Sequence, residues 1–218
     1  MLITENQSAL SRPRSADEYR EAVEENLKTA VQMKGLAEAL LELARLDSKQ
    51  PRTDRLTFEL SELVQACANR LQTLAAKKDI TFHLGLEEVA IHASPVRIRL
   101  VITNLLENAI YYTGEGGRIA ITLTSVDDHC VLAVADNGCG IDPKHLPHIF
   151  ERFYRADTSR TRGAGRYGLG LTICQAVVQA EQGEISVRSI PGQGTTFSVR
   201  LPRSPQSPDC DAGVPSPC

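Results

Sequence analysis

The N-terminal part of the chain carries its apolar residues at alternating spacings of four and three. The repeat runs through Tyr19, Val23, Asn26, Ala30, Met33, Ala37, Leu40 and Ala44. Such a heptad repeat predicts one long amphipathic helix ending near Leu46, and Ser15 and Glu18 form a capping box that starts it. Four more leucines widen the apolar stripe beyond a two-stranded seam: Leu27, Leu36, Leu41 and Leu43. A face this wide needs a partner, either another chain or the downstream part of this one.

Downstream of Pro51 the pattern changes to shorter segments. Period-two stretches predict strands at Leu56–Leu60, Ile80–Leu84, Ile119–Thr124, Cys130–Val134, Ile185–Ser189 and Thr196–Leu201. Helical periodicity and caps predict helices at Leu63–Lys77, Pro95–Tyr112, Pro143–Phe150 and Leu169–Val178. We therefore expect the helix in residues 1–50, a linker at 51–55 and a compact domain at 56–202. Residues 203–218 have no periodic apolar pattern and are predicted to be disordered.

The composition narrows the function classes. A formal net charge of -3 offers no basic excess and does not suggest a nucleic-acid partner. No apolar run approaches the roughly 20 residues that a membrane span needs, and no secretory signal precedes the first helix. The six cysteines lack the close spacing of a zinc site or a disulfide framework, so reduced thiols are expected.

Two glycine motifs flank an arginine-rich stretch. Asp136 follows an apolar strand and is itself followed by Gly138 and Gly140. A carboxylate there can accept a hydrogen bond from a planar ligand, and alternate glycines let the backbone approach that ligand closely. Gly168 and Gly170 open a helix, whose N-terminal N–H groups favour phosphate. The arginines between the motifs predict a cationic lid over a nucleotide: Arg152, Arg155, Arg160, Arg162 and Arg166.

Two asparagines lie one turn apart on the helix predicted at Pro95–Tyr112. Asparagine is a poor helix former, so Asn104 and Asn108 need a reason to be there. Asn108 can offer its amide oxygen to a Mg²⁺ ion that bridges nucleotide phosphates, since Mg²⁺ takes one or two protein oxygens. Alternatively, both amides satisfy local backbone groups. The two glycine motifs favour the magnesium interpretation.

His145 and His148 are spaced like a pair of metal ligands. No third ligand stands nearby in the sequence, so solvated histidines at the edge of the lid are the favoured interpretation.

Five motifs in this order resemble the N, F and glycine boxes of the ATP-binding catalytic domain of bacterial two-component sensor histidine kinases, in the GHKL (Bergerat) superfamily. They occupy Asn104–Thr113, Asp136–Gly140, Ile149–Asp157, Gly168–Leu171 and Gly192–Phe197. The resemblance implies an α+β fold, a two-layer α/β sandwich with a mixed β-sheet and helices on one face. The helix from Ser15 to Leu46 resembles the second helix of that family's dimerisation and phosphoacceptor hairpin.

The resemblance also implies roles for residues. Asp136 would bind the adenine amino group beside Tyr112, Asn108 would hold Mg²⁺, and Asn104 would assist at the phosphates. The remaining implied ATP contacts are Gly138, Gly140, Ile141, Phe150, Phe153, Arg155, Gly168, Leu169, Gly170 and Thr195. The implied activity is that of a protein-histidine kinase, a transferase that uses ATP and Mg²⁺ and passes phosphate to a response regulator or phosphotransfer protein.

Two of the departures from the family bear directly on the phosphoryl chemistry. Tyr111 stands where many members carry a lysine that reaches the phosphates. More seriously, the acceptor motif, a histidine followed by an acidic residue on a long helix, is absent, and the first histidine of the chain is His83. We therefore expect an N-terminally truncated kinase that does not phosphorylate itself. A helix supplying that histidine would complete a homodimer.

Other functions are left open by the sequence. Gyrase-type and chaperone-type ATPases carry a glutamate one turn before the magnesium asparagine, whereas this chain has Asn104, which cannot act as a base. Rapid ATP hydrolysis is therefore disfavoured, and a serine kinase of the anti-sigma type fits the long helix and lid motif less well. The non-enzyme alternative is an ATP-binding interaction module or a truncated remnant. The expected location is the cytoplasm, either free or as the cytoplasmic portion of a membrane-bound sensor.

Overall fold

A computed structural model describes residues 15–47, 55–155 and 168–204 of the 218-residue chain. These residues fall into two compact units. One comprises 15–47, 148–155 and 168–173, and the other comprises 55–147 and 174–204. The linker and the C-terminal tail predicted from the sequence lie largely outside the described residues, as do Arg160, Arg162 and Arg166.

The first unit contains the long helix α1, Ala16–Asp47. The predicted capping box is confirmed, because the Ser15 N–H donates to Glu18 Oε2 at 2.8 Å and the Glu18 N–H donates to Ser15 Oγ at 3.2 Å. Large apolar side chains of the predicted stripe are exposed to solvent, namely Tyr19, Val23, Leu27, Met33 and Leu41. The side chains of Leu36, Leu40, Leu43 and Ala44 lie outside the described ones.

The second unit is built on a five-stranded mixed sheet. Its strands are β2 (Thr81–Leu86), β4 (Arg118–Val126), β5 (His129–Asp136), β6 (Glu184–Ile190) and β7 (Gly194–Pro202). Their order across the sheet is β2-β4-β5-β7-β6. β2 pairs with β4 in parallel and the other pairs are antiparallel. A separate antiparallel pair joins β1, Leu56–Glu59, to β3, Ala90–Ala93. The predicted α+β fold with a mixed sheet is confirmed.

Helices cover one face of this sheet. They are α2, Leu60–Ala76, α3, Pro95–Tyr112, and α4, Gly170–Ala180. α2 and α3 pack together, and they contact β2 and β5 respectively. Alternate strand residues such as Ile121, Leu132 and Val199 are buried with them, as the period of two requires. Helix α3 begins and ends where Ser94-Pro95 and Tyr112 predict.

Three local predictions were wrong. α2 begins at Leu60 rather than after Ser61-Glu62, because the Leu60 N–H donates to the Val89 carbonyl at 2.9 Å and its side chain is fully buried. Strand β3 was missed, because four residues carry too little periodic signal. The helix predicted at Pro143–Phe150 is only a 3-10 turn, Leu146–His148.

The thiols of the described residues are free. Cys67, Cys130 and Cys174 are buried and Cys139 is exposed, and no disulfide joins them. Burial raises the pKa of Cys130 to about 11 and also raises the pKa values of Cys67 and Cys174.

Helices in the described ranges all fall short of the length and apolarity that crossing a membrane would take.

Candidate nucleotide-binding site

The site begins with a row of polar residues at one end of the sheet's buried face. Asp136 on β5 pairs with Thr195 on β7, which in turn pairs with Ser189 on β6. The apolar residues Val134 and Phe197 occupy the next matching positions on β5 and β7. The buried face therefore changes from apolar to polar at this edge, where a ligand can enter.

Asp136 is held by the backbone. Its Oδ1 accepts the N–H of Gly138 at 2.9 Å and the N–H of Thr195 at 3.3 Å. Burial raises the pKa of this carboxyl, while the two backbone hydrogen bonds pull it down. Because both bonds use Oδ1, Oδ2 is the oxygen that a ligand N–H group can approach.

Gly138 and Gly140 form a cradle with no room for side chains. A Cβ atom on Gly138 would collide with the Tyr112 carbonyl oxygen, and one on Gly140 would collide with the Ile190 carbonyl oxygen. Gly140 also has φ +68°, which glycine adopts without strain. Only glycines allow the loop after Asp136 to lie this close to its neighbours.

The same loop is tied to β6 and β7. The Ile141 N–H donates to Ser189 Oγ at 2.8 Å, and Ser189 Oγ donates to the Gly194 carbonyl at 2.9 Å. Ser189 Oγ also lies 2.9 Å from Thr195 Oγ1. The glycine loop, Ile141 and Thr195 are therefore parts of one connected network.

Helix α3 borders this loop through its last turn. Tyr112 is half exposed and its backbone carbonyl accepts the Cys139 N–H at 3.3 Å. Asn108 and Asn104 lie one and two turns back on the same side of the helix, about 6 and 12 Å along its axis. Both are half-buried, whereas Leu105 on another side is fully buried.

Asn104 is hydrogen-bonded to the backbone of its own helix. Asn104 Nδ2 donates to the Leu100 carbonyl at 2.9 Å, so half of its amide satisfies the local backbone. Tyr111, at the position of the missing lysine, packs its ring edge against Tyr112 at a centroid distance of 4.9 Å.

The remaining predicted contacts belong to the first unit. The Phe153 N–H donates to the Gly168 carbonyl at 3.1 Å, which joins the two ends flanking residues 156–167. Gly168 has φ +70°, and a Cβ there would lie 2.5 Å from the Tyr154 carbonyl oxygen. Phe153 and Arg155 are exposed, Phe150 is half-buried, and Leu169 is buried. Gly170 is the first residue of α4.

The structure thus brings Tyr112, Asp136, Gly138, Gly140, Ile141 and Thr195 together within the second unit. Ser189 and Asn137 also belong to this network and were not predicted from the sequence. Ser189 occupies an inward-facing position of β6 where the period of two calls for an apolar residue, and that exception was the available signal. Asn137 Oδ1 accepts the Arg118 N–H at 2.7 Å and fixes the loop from the other side.

One of the two histidines at the edge of the predicted lid is engaged with an acidic side chain. His148 Nδ1 lies 2.7 Å from Glu151 Oε1, and its ring packs near that of Tyr154. In the described ranges no cluster of three or more histidine, cysteine or acidic residues could hold a metal ion.

The chain was compared with known sequences. Residues 93–205 match the family described as histidine kinase-, DNA gyrase B-, and HSP90-like ATPase. The chain is 43% identical over 167 residues to the probable sensor histidine kinase TcrY of Mycobacterium tuberculosis, covering 77% of this chain and 35% of TcrY. It is 33% identical over 202 residues to the sensor histidine kinase CusS of Escherichia coli, covering 92% of this chain and 42% of CusS. The chain therefore spans well under half of these relatives.

Solved structures agree on the fold. The catalytic domain of histidine kinase ThkA has a TM-score of 0.62 at 28% identity, over 69% of this chain and 97% of that domain. A structure of ThkA in complex with response regulator protein TrrA has a TM-score of 0.74 at 22% identity, over 93% of this chain and 57% of that one. At that identity the second likeness concerns the fold alone.

Proposed function

Since the chain belongs to the histidine kinase-, DNA gyrase B- and HSP90-like ATPase family and carries its ATP-binding domain, we propose that it transfers the γ-phosphate of ATP to a histidine in two-component signalling. The observation that carries the proposal is Asp136, a half-buried carboxylate followed by two glycines at positions that leave no room for a side chain. A planar base with an exocyclic N–H group suits that combination, because the acceptor fixes the edge of the base and the glycines let the loop after Asp136 pack closely against Tyr112 and Ile190.

In this proposal each part of the site has one task. Asp136 Oδ2 accepts the adenine amino group while Tyr112 flanks the base, and Ile141 and Thr195 support the loop. Asn108 holds Mg²⁺ through its amide oxygen, which fits an ion that needs only one or two protein ligands. Magnesium would supply neutralisation of the phosphate charge. Asn104 Nδ2 gives one of its two hydrogens to the Leu100 carbonyl, and the other would assist at the phosphates.

Phosphoryl transfer needs positioning and charge neutralisation more than covalent help from the protein. The bond between the γ-phosphorus and the oxygen bridging it to the β-phosphorus breaks, and ADP leaves. A bond forms from the γ-phosphorus to an imidazole nitrogen of the acceptor. Phe150 and Phe153 are proposed to anchor the lid. The residues proposed to lie near the phosphate end of the nucleotide are Arg155, Gly168, Leu169 and Gly170. The five histidines of the chain are unsuited to accept the phosphoryl group, because none is followed by an acidic residue on a long helix. The acceptor histidine is therefore proposed to come from another polypeptide or segment.

The partners follow from this chemistry. A response regulator or phosphotransfer protein would receive the phosphate, as the name of the ThkA complex indicates for that kinase. The exposed apolar residues of α1, including Val23 and Leu27, would pair in a homodimer once an acceptor helix is supplied. We place the chain in the cytoplasm, which provides the ATP.

The second candidate is an ATP-binding module without kinase activity. The substitution of Tyr111 for the usual lysine favours it, because one positive charge near the phosphates is lost. Transfer of label from ATP to a histidine-bearing dimerisation helix separates the two candidates, since only the kinase produces phosphohistidine.

Nucleotide binding itself is tested by isothermal titration with a non-hydrolysable ATP analogue and Mg²⁺. Asp136→Ala should weaken binding by about 1–3 kcal/mol, the cost of leaving the adenine donor without its acceptor. Asp128→Ala is the matched control, because Asp128 is an exposed aspartate in the turn between β4 and β5. Equal affinity in the wild type and in Asp136→Ala would remove the adenine assignment.

A further inference from the structure

A lysine closes the C-terminal end of α3, the helix that carries Asn104, Asn108 and Tyr112. Lys78 Nζ donates to the carbonyl oxygens of Ile110 at 2.9 Å, Tyr111 at 3.0 Å and Thr113 at 3.0 Å. An ammonium group has three donors, so all of them are used. The last carbonyls of a helix have no partner within it and carry partial negative charge, so a cation there is favourable.

The one carbonyl that Lys78 omits points to the proposed adenine loop. Of the four carbonyls from Ile110 to Thr113, the Tyr112 carbonyl is the one that does not accept from Lys78 Nζ. It accepts the Cys139 N–H at 3.3 Å instead. The same carbonyl oxygen closes the space beside Gly138. Lys78 therefore fixes the carbonyls on both sides of Tyr112, and this orientation aims the Tyr112 carbonyl at the loop that follows Asp136.

Lys78 is itself anchored to the body of the second unit. Its N–H donates to the Ala75 carbonyl at the end of α2, and its own carbonyl accepts the Gly116 N–H, each at 3.0 Å. Its ammonium lies 5.9 Å from the centre of the Tyr111 ring. Because the backbone of Lys78 is hydrogen-bonded and all three of its ammonium donors are used, its side chain is held in place against the end of α3.

We propose that Lys78 is a positioning residue that sets the width of the adenine pocket, by holding the end of α3 against the loop after Asp136. The inference rests on the proposed function, because it concerns the same nucleotide site. Lys78 does not touch the nucleotide in this arrangement and does not replace the lysine missing at Tyr111, since its three donors are already committed to carbonyls.

The test uses Lys78→Met, which keeps the length of the side chain and removes its donors, and Lys78→Gln, which keeps two donors. Lys77→Met is the matched control, because Lys77 is the adjacent exposed lysine and the change of charge is the same. Affinities for ATP and for inosine triphosphate, which lacks the exocyclic amino group, are measured by titration in the full chain. Urea unfolding at the temperature of the titration verifies that each variant is folded.

Lys78→Met should bind ATP about tenfold more weakly, the loss expected when hydrogen bonds to a charged donor are removed. Its preference for ATP over inosine triphosphate should fall as well, with Lys78→Gln between it and the wild type and Lys77→Met unchanged. A residue that only stabilises the fold would weaken both nucleotides equally and leave the preference intact. That result, or an unchanged affinity, overturns the inference.

Two further outcomes are decided by the same measurements. If Lys78→Met does not fold, Lys78→Gln carries the test, and an unchanged preference in that variant overturns the inference. If the wild type does not bind ATP, the proposed function fails. Binding by the wild type with an unchanged preference in the Lys78 variants would remove the role of Lys78 alone.

Discussion

Asp136 shows how burial and hydrogen bonding oppose each other at a single carboxyl. Two backbone N–H groups stabilise its charge, yet burial outweighs them and raises its pKa above the ordinary value. A ligand N–H group would favour the ionised form, so the pKa of Asp136 should fall when nucleotide binds. Binding and proton release are thereby linked.

We expect nucleotide affinity to depend on pH through Asp136. In the free protein the raised pKa means that the carboxyl takes up its proton at a higher pH than an ordinary aspartate. Affinity should therefore fall as the pH drops through that raised pKa. Between the ordinary pKa of an aspartate in the unfolded chain and the raised pKa of Asp136, the native state binds more protons than the unfolded state. The stability that this carboxyl contributes therefore declines as the pH rises from the first value through the second.

The comparison that isolates this effect is the ratio of wild-type affinity to that of Asp136→Asn, titrated with ATP at several pH values. The ligand's own titration is common to both proteins and cancels. The ratio should fall toward acid pH, and a ratio independent of pH would show that Asp136 does not titrate at the binding site.

Asn108 makes a separate prediction about the metal. Asn108→Ala should weaken binding of ATP with Mg²⁺ more than binding of ATP with EDTA, because the lost amide oxygen is proposed to bind the cation rather than the base. Titration under both conditions measures the difference. Asn104→Ala is a useful comparison on the same helix, and an equal loss in EDTA for Asn108→Ala would make Asn108 structural.

At the scale of the elements, the start of β1 is joined to the end of α4 by a buried charge pair. Arg55 Nε lies 3.4 Å from Glu181 Oε2, and Arg55 Nη2 donates to the His92 carbonyl at 2.7 Å. The Glu181 side chain is fully buried, and neither of its carboxylate oxygens has a hydrogen bond to the described residues. The attraction of Arg55 offsets part of the cost of burying this charge.

Arg55→Met should lower the free energy of unfolding by about 3–5 kcal/mol, because it leaves the Glu181 carboxylate buried without a counter-charge. The double variant Arg55→Met with Glu181→Met should recover much of that loss, since both charges are then absent. Urea unfolding of the full chain measures each value. Arg70→Met, at an exposed arginine of α2, should change stability by no more than about 0.5 kcal/mol. A loss in Arg55→Met no larger than this control would show that the pair does not stabilise the fold.

For the molecule as a whole, the distribution of histidines decides the expected activity. An acceptor nitrogen must come within about 3–3.5 Å of the γ-phosphate for in-line attack. His83, His92 and His129 lie on the strands β2, β3 and β5, and none is on a long helix. We expect no acid-labile label on the isolated chain after incubation with radiolabelled ATP.

Fusion of a histidine-bearing dimerisation helix ahead of Leu10 should restore labelling and produce a dimer, because the exposed stripe of α1 then has a partner. Val23→Glu with Leu27→Glu should prevent both, and Glu24→Gln, on an exposed position of the same helix, should prevent neither. Light scattering and labelling report the two effects. A dimeric fusion that binds ATP but remains unlabelled would favour the ATP-binding module.

Most elements of the fold, and the residues proposed to bind nucleotide, could be predicted from short stretches of the chain. The capping box at Ser15, the proline after Ser94 and the alternation along β4 and β5 act within one or two turns or a few strand residues, so a short window of sequence contains their signal. The motif around Asp136 was recognisable for the same reason, because its chemistry is local.

Only the tertiary structure decided what these segments meet. It placed Thr195 against Asp136 across 59 residues, and it brought Lys78 to the end of α3 from the turn before β2. It also started α2 at Leu60, through a carbonyl supplied by Val89. These contacts depend on strand register and helix packing, which are set by the burial of the whole apolar face, and no local window of sequence specifies them.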